Sequence, residues 1–327
     1  MKTWEVVAPG ALPDSVRLVD APEPAIGPED VLVEVQAGAL GYPDYLLAVG
    51  RYHDKPEAPF VLGGESAGVV RAIGDAVDGI TVGDRVLAAP GETVFGRLAE
   101  LVSIPAELAL PIPDDMPMDE AAALFVAYQT AHIGLFRRAN LRPGETLMVH
   151  GASGGVGSAA VELGRASGAR VIAVAGGSEK AAVCRELGAH EVIDHTTENV
   201  VERVKTLTDG RGADVILDTV GGDVFTQSRK SVAVEGRILV GGFASGEIPR
   251  MPVNHALLKN YAVVGFRTRP FRDDPVYRRE VHDDLVAHYI GGRIRPRVQR
   301  VGFDDVVDAL EQIGNRRAVG RLVVVRD

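Results

Sequence analysis

Apolar residues in this chain fall into short runs, and their spacing changes twice along its length. Up to about residue 125 the pattern is mostly alternating. Residues 31–37 read Val-Leu-Val-Glu-Val-Gln-Ala, with Val31, Val33 and Val35 on one face of a strand. Residues 63–74 and 79–88 are each a glycine turn followed by a strand. Short strands between regular glycine turns predict a small β-barrel. Pro105, Pro111, Pro113 and Pro117 mark a loop-rich exit from it. The period then becomes helical over residues 120–127, with Asp119 in the N-cap position, and stays helical over 130–139. After the Pro143-Gly144 turn, strands at 146–150, 170–174, 191–194, 214–218, 237–240 and 262–266 enclose helices at 180–187 and 200–208. That alternation predicts a doubly wound parallel sheet with helices on both faces. Beyond Phe266 the chain is rich in charge and contains Pro270 and Pro275. An amphipathic helix over 304–313 turns Val306, Val307, Leu310 and Ile313 inward, and residues 321–325 form a last strand. This tail is too short to be a domain and is expected to fold back onto the N-terminal barrel.

One stretch organises the rest. Residues 146–150 are a buried strand, a glycine-rich turn follows, and Val156, Ala160 and Leu163 fall at helical spacing. Strand, glycine turn and helix form the setting that a dinucleotide fingerprint requires. Gly151 and Gly154 allow a tight turn and a close approach of backbone N–H groups to a pyrophosphate, and Gly157 lets the helix pack against the strand. The helix N-terminus, with Ser153, Gly154, Gly155, Val156 and Gly157, supplies unpaired N–H groups and partial positive charge to an anion. The spacing is G-x-x-G-x-x-G, one residue longer in the turn than G-x-G-x-x-G.

Composition narrows the class. The 327 residues are 46% apolar and 24% charged, a globular balance. Lys and Arg number 35 against 45 Asp and Glu, a net charge of −10, which argues against nucleic acid as the main partner. No uninterrupted apolar run of roughly 18 residues is present, so no membrane span is expected. The N-terminus, Met1-Lys2-Thr3-Trp4-Glu5, has no apolar signal core, and a cytoplasmic location is the expectation. The single cysteine, Cys184, lies in a helical segment and reads as a small core residue.

Several segments together resemble the zinc-free medium-chain dehydrogenase/reductases of the NADPH:quinone oxidoreductase, or zeta-crystallin-like, group. They are 63–68 (Gly-Gly-Glu-Ser-Ala-Gly), 82–86 (Val-Gly-Asp-Arg-Val), 128–131 (Tyr-Gln-Thr-Ala), 141–145 (Leu-Arg-Pro-Gly-Glu), the glycine fingerprint, 218–222 (Asp-Thr-Val-Gly-Gly) and 317–321 (Arg-Ala-Val-Gly-Arg). The resemblance covers essentially the whole chain. It implies an α/β fold in which a Rossmann doubly wound parallel sheet, residues 126–265, is inserted in a GroES-like β-barrel catalytic domain. That catalytic domain would be residues 1–125 completed by 266–327. The resemblance also implies a homodimer.

The second strand of the sheet ends at Val174-Ala175-Gly176-Gly177-Ser178, with no Asp or Glu to accept ribose hydroxyls. Small residues there leave room for a 2′-phosphate, which Ser178 can hydrogen-bond and Lys180 can face with a point charge. NADPH is therefore the expected cofactor, with Glu179 required to point away. Ser178 can equally be a helix N-cap, and Lys180 a solvated helix residue. The resemblance adds His195 and Arg317 near the same phosphate, Phe243 beside the nicotinamide, Thr130 facing the cofactor, and Val220 as a further cofactor-binding residue.

Zinc-dependent relatives carry a Cys where this chain reads Ala39-Leu40-Gly41-Tyr42, and a His where Gly64 precedes Glu65. Neither ligand is present, so no catalytic zinc is expected, and Glu65 reads as a structural hydrogen-bonder. Without a metal, the protein needs only to orient the reactants and place a donor near the oxygen where charge develops. By resemblance Tyr52 is the candidate donor, Tyr42 and Tyr45 are additional ones, and Arg267 lines the pocket entrance. The relatives have an Asn where this chain has Gly41, and its loss is expected to enlarge the pocket.

These readings point to an NADPH-dependent reductase of small electrophiles, either quinones or α,β-unsaturated carbonyls. Enoyl thioesters are an alternative substrate class. A protein of the same fold that binds NADPH for a structural, RNA-binding or sensing role is the alternative from a different class.

Overall fold

The computed structural model describes residues 1–91 and 93–326. The chain begins with β1 (Lys2–Val6), β2 (Val16–Asp20), β3 (Asp30–Leu40), α1 (Tyr42–Ala48), β4 (Phe60–Val61), β5 (Glu65–Ile73), β6 (Arg85–Ala88), β7 (Leu101–Pro105) and β8 (Ala109–Pro111). Helix α2 (Met118–His132) follows and runs into a π-helical turn at Ile133–Arg138. Then come β9 (Thr146–His150), α3 (Gly155–Ala166), β10 (Arg170–Ala175), α4 (Ser178–Glu186), β11 (Glu191–Asp194), α5 (Val200–Leu207), β12 (Ala213–Asp218), α6 (Asp223–Ser231), β13 (Val232–Val240), α7 (Asn254–Lys259) and β14 (Ala262–Gly265). The tail holds α8 (Arg269–Arg272), α9 (Pro275–Ile290), β15 (Val298–Gly302), α10 (Val306–Gly314) and β16 (Arg321–Val325).

By packing, the chain divides into two units. One comprises residues 1–126, 272–286 and 296–327; the other comprises 127–271 and 287–295. In the first unit β3 is the spine. Val31, Val33 and Val35 are buried while Glu34 and Gln36 are exposed, the alternation visible in the sequence. One edge of β3 pairs with β5. Its other edge pairs with β7 through residues 30–34 and with β16 through residues 37–40. The tail therefore joins the N-terminal sheet, and Leu310, Leu322 and Val324 enter one core with Trp4, Leu40, Leu47 and Leu62. The Trp4 indole N–H donates to the Phe303 carbonyl at 2.8 Å, across 299 residues of chain.

The second unit is a six-stranded parallel sheet in the order β11-β10-β9-β12-β13-β14. Its central strands β9, β10 and β12 are nearly continuous apolar runs, as strands covered on both faces require, while the edge strand β14 is largely exposed; Met148, Ile172, Ile193, Ile216 and Ile238 share its core. The chain leaves β9 toward β10 on one side and later enters β12 on the other. The carboxyl ends of β9 and β12 thus flank a topological switch point, the usual place for a ligand crevice.

Several elements differ from expectation. Asp119 lies inside α2 rather than capping it, and its carboxylate accepts from Arg300 at 2.6 Å. Residues 275–290 form a 16-residue helix in the charged, proline-containing stretch to which the pattern assigned no element. Its buried face is Arg278, Val281, His282 and Leu285, so two polar residues hide the apolar period. Cys184 is buried as expected, and burial pushes its thiol up to about 11. Among the described residues no helix is long and apolar enough to cross a membrane.

Candidate active site

The glycine turn after β9 builds an anion-binding helix end. Gly151 has φ +62° and Gly154 stands at the N-cap of α3. No side chain caps this helix, so the first-turn N–H groups stay available, while Ser158 N–H already bonds the Gly154 carbonyl at 2.8 Å. Gly157 packs directly on the turn. A Cβ there would lie 2.1 Å from the Gly151 carbonyl oxygen and 2.8 Å from Ala152 Cα, both backbone. His150, the last residue of β9, is 2% exposed, and burial lowers it to about 4, so it stays neutral beneath the turn.

The corner after β10 brings together Gly177, Ser178 and His195. The His195 ring reaches Gly176 so closely that a Cβ there would sit 2.7 Å from its Nε2. Gly177, at φ +89°, is the N-cap of α4, and Ser178 is the first helical residue with no capping bond. The N-cap alternative for Ser178 is therefore replaced by Gly177. Lys180 follows in the first turn of the same helix. The corner also holds a carboxylate that reading along β10 misses. Asp194, at the end of the neighbouring β11, accepts from Gly177 N–H at 2.9 Å, Thr196 N–H at 3.0 Å and the Thr196 hydroxyl at 2.6 Å, all on Oδ1. These donors hold it down at about 2. Its Oδ1 shapes the corner, and its register opposite Ala175 is what delivers it there.

Two further strand ends meet the crevice. Asp218, 1% exposed at the end of β12, accepts from the N–H groups of Val220 and Gly221, both at 2.9 Å, and from the Ser228 hydroxyl at 3.1 Å. This fixes the turn that carries Val220. The loop after β13 is tied to it, since Ser245 N–H donates to the Val220 carbonyl at 2.8 Å. Phe243 is 38% exposed and packs on Gly221, whose Cβ would meet its ring at 2.9 Å. Thr130 lies near the end of α2, half-buried, and Arg267 is exposed after β14.

In the first unit, α1 begins at Gly41, and Asp44 is its anchor. The Asp44 carboxylate is 3% exposed and accepts from Gly41 N–H at 2.8 Å and Gly63 N–H at 3.1 Å. Glu65, fully buried, pairs with Arg321 of β16 at 2.5 Å and accepts from Val126 N–H at 2.6 Å. Burial pushes Asp44 and Glu65 each up to about 6, against the pull of Arg321 and the backbone donors. Gly41 does not open a hollow, contrary to expectation. A Cβ at that position would lie 2.4 Å from Arg321 Nη1, so the guanidinium fills the space. Tyr42 and Tyr45 face each other with ring centroids 5.9 Å apart, and Tyr52 stacks on His53 at 4.1 Å. Tyr45 is packed on Gly314 of α10, where a Cβ would collide with its ring. Arg317 borders a surface hollow with Asp308, Glu311 and Gln312.

Comparison with known proteins places this architecture. Residues 27–114 match the alcohol dehydrogenase GroES-like domain, and residues 155–280 match the zinc-binding dehydrogenase domain. A quinone oxidoreductase-like protein 2 homolog from Nematostella vectensis is 40% identical over 303 residues, covering 91% of this chain and 82% of that one. The chain belongs to the quinone oxidoreductase-like medium-chain dehydrogenase/reductases. Among solved structures, mycobacterial Rv1454c complexed with NADPH superposes with a TM-score of 0.92 at 30% identity, covering both chains fully. The Escherichia coli quinone oxidoreductase complexed with NADPH gives 0.91 at 26% identity over both full chains.

Membership makes this chain an oxidoreductase. Among the described residues no three His, Cys, Asp or Glu side chains converge as metal ligands, and the one buried carboxylate at the expected position, Glu65, is paired with a guanidinium. What sequence reasoning missed in this oxidoreductase are acids and a base that act across elements: Asp194, Asp218, Asp44 and Arg321.

Proposed function

We propose that this chain is an NADPH-dependent reductase of quinones or α,β-unsaturated carbonyls that works without zinc. The observation that carries this reading is the pairing of an uncapped α3 N-terminus with the small-residue corner at Gly176, Gly177 and Ser178. Residues 127–271 with 287–295 are the Rossmann domain, and residues 1–126 with 272–286 and 296–327 are the GroES-like catalytic domain, in place of the 126–265 and the 1–125 with 266–327 that the resemblance implies. NADPH supplies the hydride. The first turn of α3, with Ser153, Gly154, Gly155, Val156 and Gly157, would hold its pyrophosphate. Gly177, Ser178, Lys180 and His195 would hold the 2′-phosphate, with Arg317 a further cation for it. Asp194 stays ionised in this corner with its Oδ1 engaged by Gly177 and Thr196, so the cationic groups that meet the phosphate must outweigh its charge. Val220, Phe243 and Thr130 would bound the nicotinamide. Quinones and enones are electrophilic already, so one hydrogen-bond donor near the developing oxyanion suffices. Tyr52 and Tyr42 serve best as that donor; Tyr45 is largely committed to α10, and Arg267 stands at the entrance. The test is nicotinamide oxidation followed by absorbance, with NADPH and NADH against a 1,4-quinone, a 1,2-quinone, a small enone and an enoyl thioester. Turnover with NADPH on a quinone or enone is the expected result; NADPH binding with no turnover on any of the four refutes it.

We also infer a homodimer acting in the cytoplasm. β14 ends the parallel sheet with an open outer edge, and Val253, Leu257 and Leu258 around α7 are 77%, 78% and 77% exposed. A second copy covering this region should be visible as a dimer by light scattering, and Leu257→Lys with Leu258→Lys should yield a monomer.

A further inference from the structure

Helix α3 carries a buried acid that the site above does not use. Glu162 is 6% exposed. Its Oε2 accepts from the Tyr128 phenol in a short hydrogen bond, and its Oε1 accepts from the Arg295 backbone N–H at 3.0 Å. The two donors stand at special places. Tyr128 is the second residue of the sheet unit as the chain enters it, and Arg295 is the last as the chain leaves it. The two ends of α3 are already set by packing on β9 and its turn, through Gly157 on Gly151 and Gly164 against Leu147. Glu162 is the polar tether between them. A carboxyl group buried this deeply is costly unless hydrogen-bonded, and an apolar residue would fill the same space.

We propose that Glu162 is a positioning residue for the cofactor: it ties α3, whose first turn receives the pyrophosphate, to both ends of the sheet unit. This rests on the NADPH assignment above. The carboxylate accepts both hydrogen bonds at once. Protonated, it must turn one oxygen into a donor. The Arg295 amide can only donate, so the bond that must reverse is the one to Tyr128. Burial pushes Glu162 up to about 7, opposed by the bonds from Tyr128 and Arg295 and by the charge of Arg165 on the same helix. Arg165 itself donates to the Arg293 carbonyl. The tether therefore changes hydrogen-bond polarity across neutral pH.

The experiment is the pH profile of NADPH dissociation, by nicotinamide fluorescence, between pH 6 and 8.5 in wild type, Glu162→Gln, Glu162→Leu and Tyr128→Phe. Wild type is expected to weaken severalfold as pH falls through 7. Glu162→Gln, which imitates the protonated acid, is expected to bind more weakly than wild type at high pH and to vary with pH only through the NADPH phosphate, whose titration is common to both. Tyr128→Phe removes a bond that lowers Glu162, so its midpoint should move to higher pH. Glu162→Leu leaves both donors unanswered and should lose about tenfold in affinity. The proposal is overturned if Glu162→Leu melts earlier but binds NADPH as wild type does, or if wild type and Glu162→Gln share one profile. Failure of wild type to bind NADPH at any pH would instead overturn the cofactor assignment.

Discussion

Gly157→Ala probes the link between helix packing and cofactor binding most directly. The added Cβ would sit 2.1 Å from the Gly151 carbonyl oxygen and 2.8 Å from Gly151 C and Ala152 Cα. Ordinary carbon–oxygen contacts run about 3.3–3.6 Å, so α3 must retreat from the turn by roughly 1 Å. Every atom in the way is backbone, and no rotamer change relieves the clash. Overpacking of this kind costs about 1–3 kcal/mol, offset by about 1 kcal/mol of better helix propensity for Ala over Gly. The net loss is up to about 2 kcal/mol, a fall in Tm of several degrees for a domain of this size. Binding should suffer more. The first-turn N–H groups would no longer meet the pyrophosphate at hydrogen-bond distance, and losing even one bond to a charged group weakens binding by about tenfold or more. The assay is NADPH fluorescence titration well below the Tm, beside a thermal melt. Gly164→Ala is the comparison. It clashes with the Leu147 side chain, 2.5 Å away, at the other end of α3. It should lower Tm and leave the NADPH Kd within about twofold, since the packing defect lies away from the anion site. If Gly157→Ala melts lower but binds NADPH as wild type does, the pyrophosphate does not sit at this helix end.

Other consequences are equally concrete. Lys180→Met or Ser178→Ala should weaken NADPH about tenfold while leaving NADH within about twofold, since only the 2′-phosphate contact is lost; equal effects on both cofactors would remove these residues from that contact. Arg321→Met should destabilise by about 3–5 kcal/mol, because it leaves Glu65 buried without its counter-charge; a melt unchanged from wild type would show the pair to be dispensable. Gly41→Ala, which would push on the Arg321 guanidinium, should lose about 1–3 kcal/mol, and adding Arg321→Lys should recover part of it. Asp44 and Glu65 are raised in the folded chain to about 6, above their unfolded values near 4. The folded state therefore binds their protons first, and these groups favour folding increasingly as pH falls from 7 through 6. His150, lowered to about 4, acts in the opposite sense over the same range. The clean measurement is therefore a difference: the Tm of wild type should rise relative to Glu65→Gln between pH 7.5 and 5.5, and a constant difference contradicts the raised value.

The elements that were legible in the sequence are those whose cause is local. The central strands β9, β10 and β12 could be read because a strand covered on both faces must be apolar throughout, whereas β11 and β14 are short edge runs left half-buried or exposed; the final strand at 321–325 was placed to the residue. The glycine fingerprint was legible because each glycine answers a demand of its own neighbours: Gly151 for a positive φ, Gly157 for contact with a carbonyl six residues earlier. Helix α9 was not legible, because its inward face mixes Arg278 and His282 with Val281 and Leu285. Both polar residues find backbone acceptors, Arg278 at the Arg272 carbonyl and His282 at the Pro111 carbonyl, and those carbonyls cannot be seen in the pattern.

The same distinction explains the misjudged pocket. Reading position 41 alone, a glycine where relatives have a larger residue means empty space. Yet the space beside Gly41 is decided by Arg321, 280 positions along the chain, and Arg321 is there because Glu65 needs a cation. Glu65 in turn is buried by the strand pairing of β5 with β3, while β16 brings Arg321 to the other edge of β3. Asp44 then completes the set by holding the N–H groups of Gly41 and Gly63. Four residues from three separate parts of the chain thus determine one small volume, and a change at any of them should be felt at the others. This makes additivity the sharpest test of the assignment. Gly41→Ala and Arg321→Lys should be strongly non-additive in stability, with a coupling of about 0.5–3 kcal/mol as for residues in contact. Either of them paired with Lys180→Met should add independently. If Gly41 and Arg321 prove additive, the guanidinium does not fill the space beside Gly41, and the enlarged pocket expected from the sequence is restored.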